Sequence, residues 1–329
     1  MNKQLFLADT QNQLSFDDMI EKIENIDNRI IYHYNKNYMY GKTIQYEMFK
    51  GIWIVYHDLA LKRSDLFPLE VNGFIQINYC ISGRCELHYK NNKVFYVGAG
   101  DFVVGLLKNK QYKHSFPLGN YNGISIITTE EKLDNFLKTI FPETKITSKK
   151  LLLKIEECDE YIVLSNNLEI KNIMEEIILS NHDFWKEKAV IKFAELILLL
   201  ISNDIEFYQL TGKYYDKQLI NKVKQIKQEV TANIEVYTKI EEIAQKYHIS
   251  SKTFADCFKA VYRKTYYAFI KEFRVKKASE LLRSENLTIG EVAIRVGYLN
   301  ASKFSKAFLD IMGVTPICFR KNNSLTVLD

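Results

Sequence analysis

The last third of the sequence holds the same unit twice. IEEIA at 240–244 resembles IGEVA at 289–293, an offset of 49, and TFADCFKAVYRKT at 253–265 resembles KFSKAFLDIMGVT at 303–315, an offset of 50. The alignment places Phe254, Phe258 and Thr265 on Phe304, Phe308 and Thr315. A repeated segment of this length is one supersecondary unit built twice. In the first copy Ile240, Ile243, Ala244 and Tyr247 form one helical face, His248-Ile249-Ser250 turns the chain, and a second helix from about Ser251 buries Phe254, Cys257, Phe258 and Val261. In the second copy Ile289, Val292, Ala293 and Val296 precede the turn Gly297-Tyr298-Leu299, and Phe304, Ala307, Phe308 and Ile311 anchor the next helix. Ala244 and Ala293 allow close helix approach, Gly297 can take positive φ, and Ser250 and Asn300 suit N-cap positions.

Two helices across a tight turn form the shape in which a rigid second helix enters the DNA major groove while the first crosses the backbone. The segment YYAFIKEFRVKKASELLR, 266–283, joins the copies as one helix with Phe269, Phe273, Ala278 and Leu281 on its apolar face. At 1.5 Å per residue it spans about 27 Å, near the repeat of a DNA turn, so two recognition helices could sit in successive grooves. Charge supports this reading. Residues 213–329 hold 21 Lys and Arg against 12 Asp and Glu, a surplus of nine, whereas residues 1–212 have 24 against 28. Such asymmetry between the ends of a chain points to a nucleic-acid-binding module. Because 37 of the 45 basic residues are Lys, codon bias alone could produce part of the imbalance.

The run from about 218 to 320 resembles the AraC/XylS family of bacterial transcription regulators, carried by FRVKKASELL (273–282), IGEVAIRVGY (289–298), SKFSKAF (302–308) and GVTPICFR (313–320). It covers nearly a third of the chain. The resemblance puts base-facing positions on Lys252, Ala255 and Asp256 in the first copy and on Asn300, Ala301, Ser302, Lys303 and Lys306 in the second. Lys259, Arg274, Lys276, Lys277, Arg283, Arg295, Arg320 and Lys321 are candidates for phosphate contact, Arg274 alternatively for a buried structural role. All of these could instead be solvated helix faces. The first copy departs from the family pattern at Asp256, where a basic or amide side chain is common, and at Arg263, which replaces the usual helix-ending glycine. The second copy is therefore expected to supply more of the base-specific affinity.

Ahead of this region nine of the 13 glycines fall between Gly41 and Gly123, among short β-type runs at 44–49, 52–57, 74–81, 84–89, 93–97 and 123–128. Ile75, Ile77, Tyr79 and Ile81 alternate with Gln76, Asn78 and Cys80, as a half-buried strand requires. Ser82-Gly83 and Asn91-Asn92 read as hairpin turns. From about Glu130 the period becomes helical, with helices expected at 130–140, 168–181 and 184–203. The last is apolar nearly all round and suits either a central core helix or a homodimer interface. Residues 204–217 read as a connector. The expected fold is α+β, an N-terminal antiparallel β-barrel followed by helices and an all-α C-terminal region, divided at 1–130, 131–216 and 217–322.

AraC-type regulators commonly carry a cupin-like sensing domain in front, and SGRCEL (82–87) and VGAGDF (97–102) are similar to that barrel's glycine turns. A small barrel can enclose one ligand; Trp53, His57, Tyr79 and His88 are the candidate lining residues, although aromatics at such spacing are often core. His33, His57, His88 and His114 are dispersed with no H-x-H pair, and the five cysteines form no CxxC pair, so neither a metal site, a cofactor nor a disulfide framework is expected. No apolar run reaches the roughly 18 residues of a membrane span, and the chain's start has no signal-peptide pattern. The expectation is a cytoplasmic, homodimeric, sequence-specific DNA-binding regulator, an activator, not an enzyme. Its partners would be double-stranded promoter DNA, RNA polymerase and a small-molecule effector. Alternatives are a regulator controlled by a protein partner and a cupin-type enzyme with accessory DNA binding.

Overall fold

The computed structural model describes residues 19–26, 29–61, 67–71, 73–88, 93–107, 110–158, 161–178, 184–202, 215–284 and 287–324. The chain forms two compact units, Met1–Tyr214 and Tyr215–Asp329. In the first, antiparallel strands are β1 (Ile20–Ile26), β2 (Arg29–Tyr34), β3 (Met39–Phe49), β4 (Ile52–Leu61), β5 (Phe67–Val71), β6 (Phe74–His88), β7 (Lys93–Gly98), β8 (Asp101–Leu107), β9 (Lys110–Ser115), β10 (Asn120–Thr129) and β11 (Tyr161–Ser165). Helices accompany them among the described residues: α1 (Glu130–Ile140), α2 (Lys149–Glu157), α3 (Leu168–Ile178) and α4 (Trp185–Ile201). Hydrogen-bonded neighbours run β1-β2-β3-β4-β10-β6-β8-β11.

Strand β6 corrects the sequence reading. Ser82-Gly83 is no hairpin turn, and 84–89 begins no separate strand. The chain stays extended from Phe74 to His88 and changes partners at the bend, pairing β10 and β8 before it and β7 and β9 after it. Ile81 is the bulged residue, because Cys80 pairs with Gly123 and Ser82 with Asn122. Gly83 makes the bend possible, since its φ is +87° and an added Cβ would lie 2.2 Å from the Asn120 carbonyl oxygen. A side chain there would be strained and would collide with backbone. The expected turn at Asn91-Asn92 lies outside the described residues.

The two faces of this sheet have different jobs. Ile52, Ile54, Ile75, Ile77, Tyr79, Ile124 and Ile126 share one buried core with helix residues Phe136, Ile155, Met174, Phe193 and Ile197. Edge contacts lock that layer, with the Phe136 ring 5.1 Å from both Phe49 and Phe193 and the Tyr46 ring 4.7 Å from Trp185. Helix α4 is the all-round apolar helix, and most of its surface is consumed here: Ala189, Phe193, Leu196, Ile197 and Leu200 are buried, while Ile191 faces outward. Its C-terminal carbonyls, orphaned by the helix end, accept from Lys154 Nζ of α2 at 3.3 Å (Leu200) and 3.1 Å (Ile201). The opposite sheet face has its own core around Met39, Leu61, Cys80, Cys85, Phe95, Val103 and Tyr121.

The second unit contains α5 (Lys217–Ala232), α6 (Ile240–Tyr247), α7 (Ser251–Tyr262), α8 (Tyr266–Ser284), α9 (Ile289–Arg295), α10 (Ala301–Met312) and α11 (Pro316–Ser324). Asp216 opens α5 by accepting from the Gln218 and Leu219 amides. The paired phenylalanines of the repeat are its centres: Phe254, Phe258, Phe304 and Phe308 are all fully buried. Each stabilises by roughly 2–3 kcal/mol through the apolar area it removes from water. The long helix serves both copies. Its first half sets Tyr266 and Phe269 within 5.6 Å and 5.4 Å of the Phe258 ring, and its second half sends Val275, Ala278 and Leu282 into the core of Val292, Ala293, Phe304 and Phe308. The buried stripe is thus Tyr266, Ile270, Val275, Ala278 and Leu282, with the expected Phe269, Phe273 and Leu281 only half-buried beside it.

Candidate functional site

Helices α6–α7 and α9–α10 are the two helix-turn-helix units, and local chemistry sets their geometry. Ser250 Oγ accepts from the Thr253 amide at 2.9 Å, and Asn300 Oδ1 accepts from the Ser302 and Lys303 amides at 2.8 and 3.1 Å. Both expected caps are in place. At the start of α9, Thr288 and Glu291 cap each other: the Thr288 amide donates to Glu291 Oε2 at 2.6 Å and the Glu291 amide to Thr288 Oγ1 at 3.2 Å. The hydrogen bond from the Thr288 amide holds the Glu291 carboxyl below its ordinary range. His248 and Gly297 occupy the left-handed region in the two turns, with φ of 53° and 81°.

One buried cation fixes the second turn against the domain. Arg274 of α8 is 6% exposed and donates from Nε and Nη2 to the Ile234 carbonyl at 3.2 and 2.9 Å, and from Nη2 to that of Val236 at 3.3 Å. Its guanidinium lies 5.6 Å from the Tyr298 ring centroid and 6.0 Å from that of Tyr237. Burial lowers its pKa, and the neighbouring tyrosines partly offset this. Of the two roles open to Arg274, the structure selects the buried structural one. A phosphate cannot reach it.

The candidate DNA-facing residues lie together on the outer side of each second helix. Lys252, Ala255, Asp256 and Lys259 follow the spacing of one helix face, opposite buried Phe254, Cys257, Phe258 and Val261. Lys252 and Lys259 are exposed, Ala255 and Asp256 half-exposed. In the second unit Asn300, Ala301, Ser302, Lys303 and Lys306 are all exposed. The cap occupies Asn300 Oδ1, leaving its Nδ2 for any base contact. Among the described residues, Lys252, Lys259, Lys303 and Lys306 make no ion pair, whereas Lys276 and Lys277 on α8 pair with Glu272 and Glu280 at 3.2 and 2.9 Å. Lys271 pairs with Asp310 of α10 at 2.8 Å and keeps that carboxyl below its ordinary range.

Arg263, which departs from the family pattern, ends α7 at φ 61° where Gly313 ends α10 at φ 72°. A left-handed non-glycine residue costs about 1–2 kcal/mol. Arg263→Gly is therefore expected to raise stability by about 1 kcal/mol, seen as slower amide exchange across α7 and α8.

In the first unit the strand register separates the candidate lining residues. Trp53 and His57 lie on the sheet face opposite the helices, and Tyr79 lies on the helix-covered face among Ile75, Ile77 and Ile54. Burial, then the charge of Glu175, raises the Tyr79 pKa. The side chain of His88 lies outside the described residues. Around His57 the structure assembles a polar chain absent from the sequence reading: Tyr34 Oη donates to Thr43 Oγ1 at 2.8 Å, Thr43 Oγ1 meets His57 Nδ1 at 3.3 Å, His57 Nε2 meets Ser125 Oγ at 3.3 Å, and Ser125 Oγ donates to Asn78 Oδ1 at 2.6 Å. Thr43, Gln45 and Ser125 are buried although polar. The signal was the Gln76, Asn78, Cys80 alternation, whose polar side faces inward here. Among the described residues no group of three His, Cys, Asp or Glu side chains could hold a metal, and no helix is long and apolar enough to cross a membrane.

Two linked helix-turn-helix units with exposed cationic second helices form a DNA-binding domain, as in the HTH-type transcription regulators to which the chain is similar in sequence. Residues 243–322 match the helix-turn-helix domain family, and this domain is of the AraC type. The HTH-type transcriptional activator RhaR of Pectobacterium atrosepticum is 22% identical over 260 residues, 78% of this chain and 87% of its own. The uncharacterized HTH-type transcriptional regulator YfiF of Bacillus subtilis is 30% identical over 96 residues, 29% of this chain and 30% of its own length. The RCS-specific activator RclR of Escherichia coli is 33% identical over 82 residues, 25% of this chain and 29% of its own. Among solved structures, ToxT of Vibrio cholerae covers 82% of this chain and 98% of its own at 13% identity and a TM-score of 0.30. The DNA-binding domain of AdpA in complex with a target DNA covers 32% of this chain and 95% of its own at 19% identity and a TM-score of 0.31.

Proposed function

We propose that this chain activates transcription from promoters it recognises through α7 and α10, in the cytoplasm and as a homodimer, under control of a small molecule held on the polar sheet face of its first unit. The observation that carries the reading is the duplicated pair of exposed, unpaired cationic helix faces: Lys252 and Lys259 on one, Lys303 and Lys306 on the other. Lysines on phosphates give affinity and register, and base edges give selectivity. Four phosphate contacts lower affinity about 100-fold between 50 and 200 mM salt. A weaker dependence, measured by fluorescence anisotropy on DNA upstream of the gene, counts against a four-lysine interface. In the same assay Lys306→Ala is expected to weaken specific binding by about tenfold and nonspecific binding much less. Equal losses would make Lys306 a phosphate contact only.

Effector control rests on the chain Tyr34, Thr43, His57, Ser125 and Asn78. Polar side chains turned inward on a sheet offer donors and acceptors to a neutral, hydrogen-bonding ligand, and Trp53 shares their face. The α10 unit supplies the larger share of base selectivity, because α7 presents Asp256 on its outer face, and a carboxylate repels phosphate while it can accept from cytosine N4. Mass spectrometry of small molecules co-purified with the chain, and their loss from Ser125→Val and His57→Phe variants, tests the sensing role.

A further inference from the structure

The two copies of the repeat differ by one residue, and the structure locates it. Their first helices align at an offset of 49 and their second helices at 50. His248 and Gly297 are the left-handed turn residues of their copies. The next residues, Ile249 and Tyr298, are both half-buried, and Tyr298 packs 5.6 Å from the Phe304 ring. In the first copy the N-cap Ser250 follows at once. In the second, Leu299 intervenes before the N-cap Asn300. Leu299 is therefore the inserted residue, and its relative exposure of 102% is the highest among the large apolar side chains described. Among the described residues its side chain is left to solvent.

We infer that Leu299 is a specificity-determining residue that packs on a thymine methyl group in the major groove. The inference rests on the DNA-reading role proposed above. Residues at the N-terminal end of the second helix are those that reach base edges in a helix-turn-helix. Leu299 projects from that end, beside exposed Ala301, Ser302 and Lys303. The thymine C5-methyl is the apolar group that a base pair presents in this groove, and an aliphatic side chain without hydrogen-bonding atoms matches it and rejects the polar edge of cytosine. The first copy lacks the insertion, so this contact belongs to the half-site read by α10.

The test uses the full chain and a duplex selected from a random library by the wild-type protein. Each thymine of the site is replaced in turn by deoxyuridine, which removes only the methyl. At one position in the α10 half-site the wild type is expected to lose about fourfold in affinity. Leu299→Ala should bind the thymine duplex about fourfold more weakly and be indifferent to that replacement, whereas Leu299→Met should restore part of the sensitivity. Equal deoxyuridine penalties in wild type and Leu299→Ala, or none at any position, overturn the assignment while salt-dependent, selective binding keeps the DNA-reading function intact. A Leu299→Ala protein that keeps full methyl sensitivity yet fails to activate transcription would assign the side chain to a protein contact and also overturn it. If neither protein binds any duplex in a salt-dependent way, the DNA-reading function itself falls.

Discussion

Arg274→Ala is expected to lower the stability of the C-terminal unit by about 3 kcal/mol, because it strips the buried Ile234 carbonyl and the part-buried Val236 carbonyl of their donor in one step. Arg274 reaches from α8 to Ile234 and Val236 in the segment between α5 and α6, and its guanidinium also lies against Tyr237 and Tyr298. Lysine cannot stand in, since one ammonium does not reproduce the fork by which Nε and Nη2 share the Ile234 oxygen. Trp53 and Trp185 both lie in the first unit, so tryptophan fluorescence does not monitor this loss. Hydrogen exchange resolved to peptides 233–247 and 289–300 does. Unchanged protection there in Arg274→Ala would mean that the guanidinium is an ornament of the fold.

Gly297→Ala should be of similar size, about 3 kcal/mol, through a different cause. The residue sits at φ +81°, and a Cβ built on it would lie 2.5 Å from Arg274 Nη2 and 2.6 Å from the Ile234 oxygen. Strain and overlap therefore act on the same three groups. Combining the substitutions is expected to cost less than the sum of the two, since removing the guanidinium relieves part of the clash and neighbouring sites do not add. Urea titrations of the single and double variants, followed by far-ultraviolet dichroism, give the coupling. Strict additivity would show that Gly297 and Arg274 act independently.

The sequence yields the C-terminal unit almost whole, down to the caps at Ser250 and Asn300 and the left-handed Gly297, because a duplicated pattern checks itself. Residues that recur fifty apart can only be the framework. It misses α2, α5 and α11, although Ile220, Val223, Ile226 and Val230 of α5 recur at helical spacing, and strands β1, β2, β5, β8, β9 and β11. Ile20, Ile23 and Ile26 in β1 recur every three residues, the spacing of a helix, although they lie on an edge strand. Strand β11 falls in the stretch of helical period and is held by pairing with β8, a contact remote in the chain. The inward face could not be chosen beforehand for a related reason: both faces of the sheet carry apolar residues, one for the helices and one for the second core. Only the register separates Tyr79 from His57.

Strand β6 also limits how this chain can vary. Residues 74–79 lie hydrogen-bonded between β10 and β8, and residues beyond Gly83 between β7 and β9, so a single stretch of backbone sets the alignment of four partners. Adding or deleting one residue between Phe74 and Tyr79 would turn Ile75 and Ile77 toward Thr43 and Ser125 and drive Gln76 and Asn78 into the helix-covered core. The bulge at Ile81 is the point at which this strict count is already relaxed. A length change tolerated at Ile81 and lethal five residues earlier would show the strand working as a ruler for both halves of the first unit.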